Sequence, residues 1–237
     1  MKLTTPQENV FQILRTEIKE IQGSVSNWGT ALIGPEGFGK TSIIRKIKKE
    51  LSDENSVFAY LDLCIPDICP ERKNVNWEEY FKQIKDMMPE IDFSDVRKIE
   101  SISEKMERLS LICRKHRKRI FIILDHLEEC KDWRVARWPI ENHVADVILV
   151  STADAWEEKE SDRVATSFFI KKVYLDKPID FMKDKEIFFE VVSNRFNIAK
   201  KQMEQLFESM HQKASKGKMP SWNDIFREAD EIEEIGE

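Results

Sequence analysis

The residues best suited to chemistry are concentrated in one stretch, Gly34–Ser42, which reads Gly-Pro-Glu-Gly-Phe-Gly-Lys-Thr-Ser. Its spacing satisfies G-x-x-x-x-G-K-[ST], the pattern of a phosphate-binding loop. Five of the seven glycines lie between residues 23 and 39, so the backbone best able to bend tightly or approach a ligand is concentrated there. In such a loop, backbone N–H groups surround phosphate oxygens, and the helix that follows adds the positive end of its dipole.

Individual positions of this motif have predicted roles. Lys40 would reach the β and γ phosphates of a nucleotide, and the Thr41 hydroxyl would ligate Mg²⁺. The alternative is a glycine-rich turn that holds no ligand. An apolar run before the motif predicts a strand and helical periodicity after it predicts a helix, and this context favours the binding loop. The predicted nucleotide-binding residues of the loop are Gly34, Pro35, Glu36, Gly37, Phe38, Gly39, Lys40, Thr41 and Ser42.

A second stretch, Ile120–Asp125, is a continuous apolar run that ends in a carboxylate. Continuity, as opposed to alternation, is typical of a parallel strand that is buried on both faces. Asp125 would then stand at the carboxyl end of its strand, where open α/β sheets bind ligands. With a phosphate-binding loop upstream, Asp125 is predicted to hold Mg²⁺ through water, beside Thr41.

The residues after Asp125 leave hydrolysis open. Many hydrolysing ATPases place a glutamate directly after this aspartate to polarise the attacking water, but here the position holds His126. Glu128 is preferred to Glu129 for that role, so the predicted catalytic residues are Lys40, Asp125 and Glu128. Slow hydrolysis, or binding alone, remains an alternative, and the residues after Asp125 could simply begin a solvent-exposed helix.

Two hydroxyl residues, Ser151 and Thr152, follow the next predicted strand. At the carboxyl end of a strand beside Asp125, they could hydrogen-bond the γ-phosphate or the attacking water, so both are predicted nucleotide-site residues. Ordinary capping of the loop is the alternative for each of them.

The elements that must position these residues follow from apolar periodicity. Helix-length separators between five apolar runs predict βαβ units and a parallel sheet. A charged loop is predicted over 156–162, and a short helix or loop over 133–143. Beyond residue 176 the pattern predicts helices only, with Ser221 and Asp224 as a capping box for the last of them. The predicted strands cover 30–33, 57–63, 120–125, 145–150 and 167–175, and the last three helices 178–194, 198–214 and 222–232.

Composition limits the function classes. The 237 residues are 41% hydrophobic and 35% charged with a net charge of −6, which opposes overall attraction to nucleic acid. The basic run 114–119 is interpreted as a solvated helix end, with a phosphate-backbone contact as its alternative. No apolar stretch approaches a membrane span and residues 1–9 are polar, so we expect a cytoplasmic protein with no membrane partner. The four scattered cysteines are predicted to be free, buried thiols, because Cys64 and Cys69 form the only close pair and a metal site needs more ligands.

In its order of motifs and elements, nearly the whole chain resembles the AAA+ ATPases and their relatives, the STAND ATPases. Within these groups it is most similar to compact origin-recognition-like and transposition-associated ATPases. The resemblance implies an α/β fold with a five-stranded parallel sheet of order 5-1-4-3-2 and a small C-terminal helical lid. It divides the chain into a nucleotide-binding domain, 1–176, and a lid, 177–237.

The same resemblance implies ATP with Mg²⁺ and nucleotide-dependent assembly into homo- or hetero-oligomers through the nucleotide face. It also implies an arginine donated across the interface, for which Arg134, Arg137 and Arg163 are equal candidates. The chain departs from the family at His126, and no arginine stands at the lid position where a sensor-2 residue is expected.

The predicted function is therefore an ATP-binding switch or assembly factor in a multi-protein complex. Protein partners are expected, and a nucleic-acid partner, with a role in a DNA-associated complex, is left open. ATP is preferred to GTP because no Asn-Lys-x-Asp motif follows the loop. The alternatives are a small-molecule or nucleotide kinase and a scaffold that binds ATP without hydrolysing it.

Overall fold

The computed structural model describes residues 2–24, 26–52, 55–132, 134–160 and 167–236 of the chain. Helices and strands alternate through the first three quarters of the chain, and three helices follow the last strand. The strands are β1 Gly29–Ile33, β2 Ser56–Asp62, β3 Arg119–Asp125, β4 Asp146–Ser151 and β5 Phe169–Tyr174. The helices are α1 Thr5–Gln22, α2 Lys40–Leu51, α3 Trp77–Met87, α4 Ser94–Arg97, α5 Ile102–Lys115, α6 Arg134–Glu141, α7 Ala153–Glu160, α8 Lys185–Ser193, α9 Lys200–Ser215 and α10 Trp222–Gly236.

The five strands form one parallel sheet in the order β2-β3-β4-β1-β5. This arrangement confirms the predicted α/β fold. It also confirms the predicted strand order 5-1-4-3-2, which is the same order counted from the opposite edge of the sheet. The register places Asp62 beside Asp125, and Ile33 beside Ser151. The carboxyl ends of the strands therefore bring Gly34, where the loop Gly34–Ser42 starts, and Asp125 to the same edge of the sheet.

Burial on both faces explains why the central strands have continuous apolar sequences. In β3, Phe121 and Ile123 pack into one apolar cluster with α1 and α2, while Ile122 and Leu124 pack into another with α3 and α5. Phe58 stacks on Phe121 with ring centroids 4.6 Å apart, which joins β2 to β3 on the first face. Alternation between two buried faces leaves no polar position between Ile120 and Leu124 of β3.

A third apolar cluster is formed by α8, α9 and α10. Its members include Phe188, Phe207 and Trp222. The ring centroid of Phe188 lies 5.1 Å from that of Phe207 and 6.3 Å from that of Trp222. The capping box predicted for α10 is present, because the Ser221 hydroxyl and backbone N–H donate to Asp224, and the Asp224 N–H donates to the Ser221 hydroxyl. The boundary between residues 176 and 177 stays a prediction.

The helix predicted from residue 178 begins later, at Lys185. The segment before it forms turns that are held by the amino end of α1. The buried carboxylate of Asp184 accepts the backbone N–H of Thr5 at 2.9 Å and that of Asp180 at 2.8 Å. These hydrogen bonds to the Asp184 side chain, one of them from α1, replace the helical ones that periodicity predicted.

The prediction of a charged loop over 156–162 is wrong for the part that the structure describes. Residues Ala153–Glu160 form α7, which ends just before an undescribed segment. Trp156 explains the difference, because its side chain is 1% exposed and packs edge-on against Phe169 at a centroid distance of 6.1 Å. A tryptophan buried on the sheet fixes a helix that a count of charged residues does not reveal.

Two further sequence predictions concern the chain as a whole. Cys69, Cys113 and Cys130 are free and buried as predicted, whereas Cys64 is exposed because it stands in the loop after β2. In the described residues, no helix is both long and apolar enough to cross a membrane.

Candidate nucleotide-binding site

The loop Gly34–Ser42 joins β1 to α2 at the carboxyl edge of the sheet. Gly37 and Gly39 have φ angles of 70° and 90°, which glycine adopts without strain. Gly34 is required for a different reason, since a Cβ there would overlap the carbonyl oxygen of Leu175. The glycines of the motif therefore allow both the left-handed turns and the close packing of this loop.

Lys40 is the first residue of α2 and points back into the loop. Its Nζ donates to the carbonyl oxygens of Gly34 at 2.7 Å and Pro35 at 2.9 Å. Burial lowers the pKa of Lys40, and the nearby carboxylates of Glu128, Asp125 and Glu36 act in the opposite direction. The ammonium group is thus desolvated and held at the loop, where a phosphate oxygen could replace the two carbonyl contacts.

Thr41 and Asp125 meet as the sequence predicted. The Thr41 hydroxyl donates to Asp125 Oδ2 at 2.8 Å, and the Asp125 side chain is 1% exposed. Sequence reasoning missed a third member, Tyr60 of β2, whose hydroxyl donates to the same oxygen at 2.7 Å. Burial and the Asp125 carboxylate raise the pKa of Tyr60, so its hydroxyl remains a donor. Its position one strand away, facing the end of β3, has no signature in the sequence.

His126 has left-handed backbone angles, φ 59° and ψ 48°. Its N–H donates to Asp125 Oδ1 at 3.0 Å, and its Nδ1 lies 3.0 Å from Asp62 Oδ1. The ring of the residue that replaces the expected glutamate is therefore engaged with a second carboxylate, at the end of β2.

Glu128 lines the same cleft as Lys40, and its Oε2 accepts the backbone N–H of Thr152 at 3.2 Å. The Thr152 hydroxyl accepts the Ala155 N–H at 3.4 Å, which is the capping alternative. The Ser151 hydroxyl is buried and has no hydrogen-bond partner among the described residues. Roles for these three residues in catalysis or phosphate sensing stay predictions.

A cleft of about 450 Å³ lies between the loop, the amino end of α1 and the helices of the C-terminal region. Gln7 donates to the Phe38 carbonyl at 3.0 Å, and the Trp222 N–H donates to the Gly37 carbonyl at 3.0 Å. The buried side chain of Phe38 packs in the core below. The residues that line the cleft are Lys2, Thr4, Gln7, Glu36, Gly37, Gly39, Lys40, Thr41, Ser42, His126, Glu128, Ile187, Val191, Arg195, Trp222, Asn223 and Phe226.

Arg195 and Lys2 are the cleft cations that sequence reasoning did not single out. Arg195 follows α8, and its guanidinium carbon lies 4.1 Å from the centroid of the Phe226 ring. Of the arginines proposed to act across an interface, Arg137 pairs with Glu141 and lies over Phe168. Arg163 and the side chain of Arg134 lie outside the described part of the structure.

Comparison with known proteins places this geometry in a known fold. The chain is similar to Cdc6p from Pyrobaculum aerophilum, with 18% identity and a TM-score of 0.54 over 82% of this chain and 50% of that one. It is also similar to Orc1 from Aeropyrum pernix, solved in complex with DNA, with 14% identity and a TM-score of 0.61 over 94% of this chain and 58% of that one. The chain has the AAA+ ATPase fold.

This likeness confirms the predicted resemblance to origin-recognition-like ATPases at the level of the fold. The chain spans about half the length of the solved structures that it matches. No protein-family model and no curated protein matches the sequence.

The oxygen donors of this AAA+ fold suit a hard divalent cation. Thr41 supplies a hydroxyl and Asp125 a carboxylate, 2.8 Å apart at the base of the cleft. Mg²⁺ is typically held by one or two such oxygens together with water and substrate phosphates. The residues present therefore fit the Mg²⁺ that the fold implies, with Thr41 and Asp125 as its predicted ligands.

Proposed function

We propose that the chain is an ATP-binding AAA+- or STAND-like ATPase that acts as a nucleotide-dependent switch or assembly factor. The observation that carries this proposal is the hydrogen bond between Thr41 and Asp125, next to a loop whose buried ammonium group, Lys40, donates to two backbone carbonyls and to no side chain of the described residues. A structural turn gains nothing from a desolvated cation in that position, whereas a triphosphate would pair with it.

The chain's own residues would divide the work on ATP. The backbone N–H groups of Gly34–Ser42 and the Lys40 ammonium would bind the phosphates, and Arg195 would approach them from the other side of the cleft. Thr41 and Asp125 would hold Mg²⁺, which when bound offsets phosphate charge. Glu128 would orient the attacking water, with Thr152 holding its carboxylate through the backbone N–H.

The contact between the loop and α10 supports the switch. The Gly37 carbonyl accepts the Trp222 N–H. A rearrangement of the loop around phosphates would therefore displace or break this bond to the first residue of α10. We propose that residues 177–237 form a lid on the nucleotide-binding domain, 1–176, and that ATP changes how firmly the lid is held. Protein partners, including copies of this chain, would then dock on the nucleotide face.

A DNA-associated role rests on similarity to an Orc1 protein that was solved with DNA. It belongs to this proposal as one kind of complex in which the switch would act. The salt dependence of binding to duplex DNA, with and without ATP, tests it separately from nucleotide binding.

Calorimetry of Mg-ATP binding tests the site. Lys40→Ala should weaken binding at least 100-fold, because a charge-assisted contact to phosphate contributes several kcal/mol in a desolvated site. Lys49→Ala, on the exposed face of the same helix, should bind like the parent. Retained affinity in Lys40→Ala would refute the assignment.

Turnover separates an ATPase from the alternative, a scaffold that binds ATP without hydrolysing it. The engagement of the His126 ring with Asp62 favours that alternative, since it leaves the position after Asp125 without a free base. If the chain hydrolyses ATP, Glu128→Gln should lower kcat by 10²-fold or more while ATP still binds. Absence of turnover in the parent, with ATP bound, would establish the scaffold.

A further inference from the structure

Three potential metal ligands of different kinds meet beside the nucleotide cleft, at the ends of β2 and β3. Asp62 is the last residue of β2, Cys64 stands two residues later, and His126 follows the last residue of β3. Because Asp62 and Asp125 are neighbours in the parallel register, the loops that leave the two strands start side by side. One ligand atom from each of the three residues lies within 4.8 Å of the other two.

The 4.8 Å limit on these separations is about 1.0–1.5 Å longer than the spacing of ligand atoms around a bound transition-metal ion. Zn²⁺ forms tetrahedral sites with bonds of about 2.0–2.3 Å, which set ligand atoms roughly 3.3–3.8 Å apart. Small side-chain rotations would bring the carboxylate, thiolate and imidazole to this spacing. A fourth position would be left to water, as in sites with three protein ligands.

Hydrogen bonds to neighbouring residues organise the cluster. Asp62 Oδ1 accepts the backbone N–H of Cys64 at 3.1 Å and lies 3.0 Å from His126 Nδ1. The N–H of His126 is held by Asp125, which fixes the left-handed turn that aims the ring at Asp62. The side chains of His126 and Asp62 are 34% and 21% exposed, so an ion can reach them from solvent.

The chemistry of the ligands separates this cluster from the predicted Mg²⁺ site. Thr41 and Asp125 offer oxygen alone, which suits hard cations. A thiolate and an imidazole favour Zn²⁺ and similar ions of the later first transition row. Glu128 and Glu129 add negative charge close to Cys64, which attracts a cation to this side of the cleft.

We propose that Asp62, Cys64 and His126 form a binding site for a Zn²⁺-class ion, distinct from the nucleotide's Mg²⁺. The bound ion would fix the His126 ring at the end of β2 and, through the His126 backbone, hold the turn that follows Asp125. This proposal departs from the prediction that the cysteines have no metal-binding role, which was based on Cys64 and Cys69. The other two ligands, Asp62 and His126, stand at the end of β2 and directly after β3, so the meeting of the three residues depends on the pairing of these strands.

Cobalt titration of the full chain without nucleotide tests the site. One equivalent of Co²⁺ should produce a thiolate-to-cobalt charge-transfer band in the near ultraviolet, and Zn²⁺ should abolish it. Co²⁺ bound at Thr41 and Asp125 gives no such band, because that site contains no sulfur. Since no ATP is present, the outcome does not depend on the proposed ATPase function.

The variants identify the ligands. Cys64→Ala and His126→Ala should each lose the band, whereas Cys69→Ala, a buried thiol of the same loop, should keep it. Circular dichroism that matches the parent shows that each variant is folded. Three results would overturn the proposal. They are absence of the band in the folded parent, survival of the band in Cys64→Ala, and loss of the band in Cys69→Ala but in no other variant.

Discussion

At the scale of single residues, the carboxylate of Asp125 organises the base of the cleft. Asp125 Oδ2 accepts the hydroxyls of Thr41 and Tyr60, while Oδ1 accepts the N–H of His126. Three donors from β2, α2 and the turn after β3 thus fix a side chain that is almost completely buried. A ligand held by such partners has its orientation set before a metal ion arrives.

Tyr60→Phe should therefore weaken the Mg²⁺-dependent part of ATP binding by about 10-fold or more, as loss of a second-shell hydrogen bond does at other metal sites. ATP affinity measured by calorimetry at several Mg²⁺ concentrations reports this directly. Tyr174→Phe, at an exposed position of β5, is the matched control. Equal Mg²⁺ dependence in Tyr60→Phe and the parent would show that Tyr60 does not orient Asp125.

A pair of glycines distinguishes backbone strain from packing. Gly39 and Gly217 both have left-handed angles, φ 90° and 83°, but a Cβ on Gly39 would overlap Gln7 Nε2, whereas no atom lies within 4 Å of one on Gly217. Gly217→Ala should lower the free energy of unfolding by about 1 kcal/mol. Gly39→Ala should cost about 1–3 kcal/mol more, because Gln7 would lose its bond to Phe38. Urea unfolding measures both, and equal losses would contradict this account.

At the scale of elements, α10 links the apolar cluster that it forms with α8 and α9 to the loop Gly34–Ser42. Its first residue, Trp222, donates its N–H to Gly37, and Asn223 lies 3.4 Å from Glu36. Ser221 and Asp224 cap this end reciprocally, so the cap also fixes the direction in which Trp222 meets the loop.

This cap predicts a pH-dependent stability. The N–H and hydroxyl of Ser221 lower the pKa of Asp224. A lowered pKa in the folded state stabilises the fold above the ordinary carboxyl pKa, about 3.9, and that contribution is lost as the pH falls through the folded value. Asp224→Ala should therefore cost about 1 kcal/mol at pH 7, and the gap to the parent should shrink toward pH ~3.

Urea unfolding at several pH values measures this gap. Asp230→Ala, an exposed acidic position later in α10, is the control for a general effect of removing a negative charge from this helix. A gap for Asp224→Ala that stays constant between pH 7 and pH ~3 would contradict the proposed cap.

The sequence predicted the elements of the sheet well because its signals are local. The structure of a continuous apolar run such as 120–125, or of the glycine pattern at 34–39, is determined by a few neighbouring residues. Errors arose where a tertiary contact decides the local structure. The buried carboxylate of Asp184 replaces a helical turn by bonding Thr5, and burial of Trp156 makes a helix from a charged segment.

The candidate site divides in the same way. Lys40, Thr41 and Asp125 could be predicted because each belongs to a motif with fixed spacing. Tyr60, Gln7 and Arg195 could not, since each reaches the cleft from an element whose position depends on the whole fold. The exposed thiol of Cys64 and its approach to His126 likewise follow from the pairing of β2 with β3.

At the scale of the whole molecule, the amino end of the chain joins the two sides of the cleft. Gln7 bonds the nucleotide loop, while Thr4 and Thr5 bond Pro178 and Asp184 on the C-terminal side. Thr4 and Gln7 also line the cleft, so a movement of the C-terminal helices relative to the loop would strain these contacts. Nucleotide binding that rearranges the loop would thus change a contact network extending from α1 to α10.

Assembly is the prediction that belongs to this scale. Among the described arginines, Arg195 alone lines the cleft, and Arg137 is engaged with Glu141 and Phe168, so within the described part of the chain a second arginine on the phosphates would have to come from another copy. A non-hydrolysable ATP analogue with Mg²⁺ should therefore shift the sedimentation coefficient of the parent to that of a dimer or larger species. Lys40→Ala should sediment as the nucleotide-free parent does. If the parent binds the analogue and its sedimentation coefficient is unchanged, self-assembly is excluded. The switch would then have to act on a different partner protein, because ATP would alter the cleft without recruiting a second copy of the chain.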